Sequence, residues 1–208
     1  IDDGTTKLLF DPAWTRPHLL QWLGLSPLRS NPTLVKKILK SYDLEQVNGV
    51  FASHSHFDHV IDAPLVAKFS GAIFYTDESQ ERISKAYFDS SIKTLKLTPS
   101  KKMKMGQFLV TPIERTHAKI LHLFDFLPGE VPQKTRLSLW DYKIAKTWLY
   151  LIEHPAMTIL LDQGSRAAIE LREQFPKKVD LVIQGVANRK RDAAFLNGYV
   201  KLLQPDYF

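Results

Sequence analysis

The chain has no cysteine, and its 208 residues include only nine glycines and three methionines. Without thiols there are no disulfides, no thiolate metal ligands and no thiol nucleophile, so any metal must be held by nitrogen and oxygen donors. No apolar run approaches the roughly 20 residues that span a bilayer, and no signal peptide is visible. Internal repeats and low-complexity tracts are also lacking. What is there is ordinary for a globular chain: 44% apolar, 24% charged, with a net charge of +6. A chain of this length can bury a good core as one domain, 1–208. The absence of cysteine fits the cytoplasm or the periplasm equally, and nothing specifies an oligomeric state. The basic clusters Lys36-Lys37, Lys101-Lys102-Lys104, Lys177-Lys178 and Arg189-Lys190-Arg191 read first as solvated surface. They are scattered, define no groove, and leave nucleic acid as a partner that is not expected.

Against this background the run Ser53-His54-Ser55-His56-Phe57-Asp58-His59 stands out. It places four potential metal ligands in six residues, a pattern expected by chance in on the order of 1 in 1000 chains of this length. Imidazole and carboxylate suit zinc and its borderline neighbours. The segment before it, 47–53, reads as a buried strand. The segment after it, 58–69, reads as a helix that Pro64 shortens or kinks. The motif therefore lies on a strand-to-helix loop, where ligands collect in open α/β layers. In an extended loop His54 and His56 point the same way, because side chains alternate with period two. Asp58 and His59 leave from the turn into the helix, so one loop can feed two adjacent metal positions.

Further donors must come from elsewhere. His117 follows the strand-like run 107–113; alone it reads as a surface histidine, beside the motif as a ligand. His122 is a weaker candidate, and His18 and His154 have no supporting pattern. Asp162 ends a second buried strand, 157–161, where a carboxylate can bridge two ions or simply serve a turn or the start of a helix at 166–175.

The pattern predicts strands at 6–10, 72–75, 93–97, 107–113, 147–153 with 157–161 as a hairpin, and 179–184. Helices are predicted over 33–42 with Thr33 as N-cap, over 79–88 and over 192–203. Residues 12–33, with four prolines, and 118–142 read as loops. They carry Trp14, Trp22, Leu121, Phe124, Phe126, Trp140 and Tyr142, either as apolar walls of a pocket for a small-molecule or lipid-like substrate or as loop packing. Pattern alone supports mixed α/β.

The run from Ser53 to Pro64, with His117 after a strand and Phe10-Asp11-Pro12 after an early one, resembles the metallo-β-lactamase fold superfamily of metal-dependent hydrolases. It is similar to a broad subgroup with ascorbate-lactone hydrolases and N-acyl-phosphatidylethanolamine phosphodiesterases. The resemblance implies a four-layer αββα sandwich in a single metallo-hydrolase domain, here expected to lack terminal strands at both ends. It implies that His54, His56 and His117 hold one ion and Asp58 and His59 a second, and that Asp11 supports the site from behind. Zinc is the expected metal, one or two ions per chain, with manganese or iron as alternatives. The family's bridging aspartate follows a glycine; here Ser165 follows Gly164, so either Asp162 takes the bridge or none does. A last family histidine would lie beyond Phe208. Oxygen-reducing di-iron relatives carry glutamate where His56 stands, which points away from redox use. The implied activity is hydrolysis of an ester, lactone, amide or phosphodiester by metal-bound hydroxide, with Asp58 as catalytic proton donor to the leaving group. The alternatives are a nuclease on the same scaffold and a catalytically silent metal-binding domain.

Overall fold

The computed structural model describes residues 1–88, 91–117, 125–164, 178–185, 200–201 and 203–207. The chain forms two compact units, one of Ile1–Leu97 with Leu127–Lys146, the other of Thr98–Phe126 with Thr147–Phe208.

The first unit is built on a four-stranded parallel sheet in the order β1 (Leu8–Phe10), β2 (Gly49–Phe51), β3 (Ile73–Thr76), β4 (Thr94–Lys96). Parallel neighbours need long crossovers. Here these carry α1 (Leu19–Trp22) and α2 (Pro32–Ser41), then α3 (Phe57–Val60) and α4 (Ala63–Ser70), then α5 (Glu78–Phe88). Val50, Phe74, Val35, Leu39, Leu65 and Ile83 bury together in the core between the sheet and these helices. The alternate strand positions Phe10, Phe51 and Tyr75 stack across the sheet with centroids 4.8 and 4.6 Å apart, an offset aromatic arrangement that fixes the register of three strands. Strand order brings every carboxyl end to one edge.

Three local differences from the sequence reading have simple causes. Helix α2 is capped by Asn31, whose side chain accepts from the Leu34 amide at 3.1 Å, and not by Thr33. Pro32 stands at its first position, where the missing N–H costs nothing. The helix read over 58–69 is two, because Pro64 can enter only in the first turn of α4. The proline-rich loop 12–33 holds one helical turn, α1, braced by Gln21, which accepts from the His18 amide and donates to the Pro27 carbonyl.

The second unit is a five-stranded sheet in the order β5 (Met103–Met105), β6 (Phe108–Arg115), β7 (Thr147–His154), β8 (Met157–Asp162), β9 (Leu181–Gln184). The pairs are antiparallel except β8 with β9. Strand β5 carries no sequence signal, because three residues, one of them lysine, hold too little periodicity. It pairs with β6 across a two-residue turn at Gly106. Ile113, Leu149, Leu151, Leu160, Val179 and Val182 form its core. The helices expected over 166–175 and most of 192–203, together with His122, Leu121, Phe124 and Ser165, lie outside the described residues. Among those described, no helix is long and apolar enough to cross a membrane.

Candidate metal centre

Two loops meet at the carboxyl edge of the parallel sheet. One follows β1 and carries Asp11; the other follows β2 and carries 53–59. Asp11 adopts a left-handed backbone, φ 49°, a conformation aspartate tolerates better than most residues. Its carboxylate then reaches the second loop. It accepts from the Ser53 amide at 2.5 Å, from the Ser53 hydroxyl at 2.8 Å and from His59 Nδ1 at 2.9 Å. The backbone of the second loop is held from both sides: the Ala52 carbonyl accepts from the Gln80 amide group at 3.1 Å, and the Ser55 N–H donates to the Ile144 carbonyl at 3.3 Å.

Ser53 sets the ring tautomers. Its single hydroxyl proton goes to Asp11, so its oxygen is left to accept, and it lies 3.0 Å from His54 Nδ1 and 3.1 Å from His59 Nδ1. Both rings therefore carry their proton on Nδ1 and present Nε2 as the lone-pair nitrogen. His54 Nε2 faces His56 Nδ1 at 3.0 Å, and the two residues are 1% and 6% exposed. Two nitrogens on one tetrahedral zinc ion lie about 3.3 Å apart, so this buried pair fits a shared ion closely. Nitrogen and oxygen donors without thiolate fit borderline and harder divalent metals.

His59 is the more basic position. Burial lowers its imidazole, but the charge and hydrogen bond of Asp11 and the charge of Asp58 outweigh that, and its pKa is raised. The Asp58 carboxylate lies 3.9 Å from His59 Nε2 and is largely exposed. A carboxylate behind one imidazole nitrogen, with the other turned outward, is the arrangement that orients metal-ligating histidines.

The remaining candidates belong to the second unit. His117 follows β6, and Asp162 is the fully buried last residue of β8. Because β6 and β8 both run antiparallel to β7, these two residues come to the same end of the sheet. The Asp162 carboxylate accepts from the Gly164 amide at 3.2 Å, and its carbonyl accepts from the Gly185 amide at 2.8 Å. His18 caps α1, and His154 closes the β7–β8 turn by accepting from the Ala156 amide at 3.1 Å.

Of the aromatic loop residues, Tyr142 is fully buried and bonds the Leu28 carbonyl, so it is core and not a pocket wall; burial beside Tyr87 pushes its hydroxyl well above the usual tyrosine range. Asp62 was not singled out in the sequence. It is fully buried and binds the loop after β1, accepting from the Trp14 and Thr15 amides at 2.6 and 2.7 Å, from the Thr15 hydroxyl at 2.7 Å, and from the Ser30 hydroxyl. The one signal for it is an acidic residue inside the apolar run Val60-Ile61-Asp62-Ala63, which must find partners if buried.

Comparison with known proteins agrees with this architecture. The structure resembles Igni18, a metallo hydrolase from Ignicoccus hospitalis KIN4/I, with TM-score 0.53 and 17% identity over 95% of this chain and 71% of that one. That likeness shows the fold. YhfI from Bacillus subtilis, a metallo-beta-lactamase fold protein, matches with TM-score 0.49 and 16% identity over 81% of this chain. Zn(2+)-bound PqqB from Methylobacterium extorquens matches with TM-score 0.49 and 14% identity over 85% of this chain. The chain spans 62% of the length of YhfI and 68% of that of PqqB. No curated protein matches the sequence. The sequence profile of the metallo-beta-lactamase superfamily matches residues 1–131, which include Asp11, the whole histidine loop and His117. With its mixed α/β fold of two sheets, the chain belongs to the metallo-beta-lactamase superfamily.

Proposed function

We propose that this chain is a metal-dependent hydrolase acting on an ester, lactone, amide or phosphodiester. The observation that carries the reading is the buried His54–His56 pair, whose facing nitrogens stand 3.0 Å apart on a loop fastened by Asp11. In this reading His54, His56 and His117 hold one ion, and Asp58 and His59 hold a second. Asp162 is the candidate for a carboxylate shared by both. A divalent ion there, zinc first and manganese or iron otherwise, supplies Lewis acidity and a water-derived nucleophile at neutral pH.

The chain's own residues do the rest. Ser53 and Asp11 hold the Nδ1 protons of His54 and His59, which keeps Nε2 of each ring available to a cation. In this reading Asp58, largely exposed beside His59, is also the group that passes a proton to the leaving group. Closed backbone bonds on both sides of Ser53–Ser55 hold the ligand spacing without help from the ligand.

The test is elemental analysis of protein purified without chelator, beside His54→Ala/His56→Ala. One or two ions per chain in the wild type and none in the variant is the expected result, with metal-dependent turnover in a panel of esters, lactones and phosphodiesters. Metal-loaded protein that hydrolyses nothing, indistinguishable from the variant, leaves a silent metal-binding domain instead.

A further inference from the structure

The turn after the β1 loop has the opposite character to the histidine loop beside it. Five of the seven residues from 19 to 25 are large and apolar: Leu19, Leu20, Trp22, Leu23 and Leu25. All five side chains face solvent, Leu19 and Leu25 at 72% and 74% exposure. Scattered exposed leucines are unremarkable, but a contiguous group marks an interaction surface.

The exposure is built in. Gln21 ties both ends of the turn, to the His18 amide and the Pro27 carbonyl. Gly24 takes φ 72° and sits so close to Trp140 that a Cβ there would come within 2.7 Å of the indole. Trp22 meets Phe57 edge to face, centroids 5.7 Å apart. Phe57 follows His56 directly, so the turn leans on the metal loop itself.

Charge identifies the occupant. Residues 12–42 contain five basic side chains, Arg16, Arg29, Lys36, Lys37 and Lys40, and no aspartate or glutamate. All five are exposed. A second copy of the chain docked on the turn would bring this stretch, which carries no acidic residue, toward its own like charges. An anionic lipid surface satisfies both halves: leucine and tryptophan enter the headgroup–acyl boundary, and lysine and arginine stay among the phosphates. We propose that the turn at 19–25, with the basic residues that flank it in sequence, docks this protein on anionic lipid surfaces, beside the histidine loop. The inference stands apart from the hydrolase reading, because partition is measured without metal or turnover.

The experiment is sedimentation of the whole chain with vesicles of phosphatidylcholine alone and with roughly 30% phosphatidylserine, reading indole fluorescence alongside. Partition onto the anionic vesicles is expected, with a blue shift from Trp22, weakening as salt is raised. Leu19→Ser/Leu25→Ser, changed only at exposed positions, is expected to keep the wild-type melting temperature and lose about tenfold or more in partition. No partition by the wild type, equal partition by the double variant, or equal binding to neutral vesicles overturns the proposal. So does dimerisation that depends on Leu19 and Leu25 in the absence of lipid.

Discussion

The loop at 53–59 and the turn at 19–25 each reverse the usual distribution of side chains. The loop buries histidine and serine; the turn exposes leucine and tryptophan. Both belong to the first unit, both follow strands of the same sheet, and Trp22 touches Phe57. Buried polar groups are stabilised by partners, as Ser53 and His59 are by Asp11 and His54 is by Ser53. Exposed apolar groups need no such network to persist, only a backbone that cannot fold them inward. The loop is held by polar partners from other elements, Asp11, Gln80 and Ile144, whereas the turn is tied by its own Gln21 and by the packing of Gly24 on Trp140.

Changes aimed at the loop should therefore cost far more than changes aimed at the turn. The largest effect is expected from His54→Ala/His56→Ala, which removes the facing nitrogens; metal content should vanish and turnover fall by about a thousandfold or more. Asp62→Ala should come next. It strands the Trp14 and Thr15 amides in the interior and frees the segment that leads into the turn, lowering unfolding free energy by about 3 kcal/mol in a denaturant titration. A variant that keeps full stability would mean the turn is held without Asp62.

Asp11→Asn should leave the fold in place but weaken metal binding by about 10–100-fold, read by competition with a chelating dye. An unchanged affinity would separate the carboxylate from ligand orientation. The smallest effect concerns the 3-10 turn Leu139–Asp141, which carries Trp140 behind Gly24. Burial raises the Asp141 carboxyl, but the Lys134 ammonium and two bonds from Ser138 outweigh it and hold its pKa below the ordinary value. A depressed folded pKa gives stability that is present above the unfolded value of about 3.9 and is lost as pH falls through the folded one. Asp141→Asn should lower stability by about 0.5 kcal/mol at neutral pH and flatten this part of the acid dependence.

The legible parts of this fold were those with local causes. Strands β1 to β3 and β6 to β9 show as short apolar runs, the break between α3 and α4 shows in Pro64, and the histidine loop shows in its spacing. Less legible were features set by competition. Asn31 and Thr33 are both good caps, and the position of Pro32 decides between them. Strand β5 exists because β6 offers it an edge. Tyr142 reads as a loop aromatic, yet it is core because the Leu28 carbonyl lies within reach of its hydroxyl.

By itself, the sequence determined that nitrogen and oxygen donors sit together after a buried strand, that no thiol chemistry is available, and that residues 12–42 are basic and partly apolar. These follow from residue type and from spacing along one short stretch, where the chain has few ways to separate neighbours. Only the tertiary structure decided that Asp11 and Ser53 govern the tautomers of His54 and His59, that Asp62 fastens the loop after β1, and that the leucines of α1 face outward. The bonds of Asp11 and Asp62 join groups 32 to 48 residues apart, brought together by strand pairing and helix packing, and such distances leave no trace in local pattern.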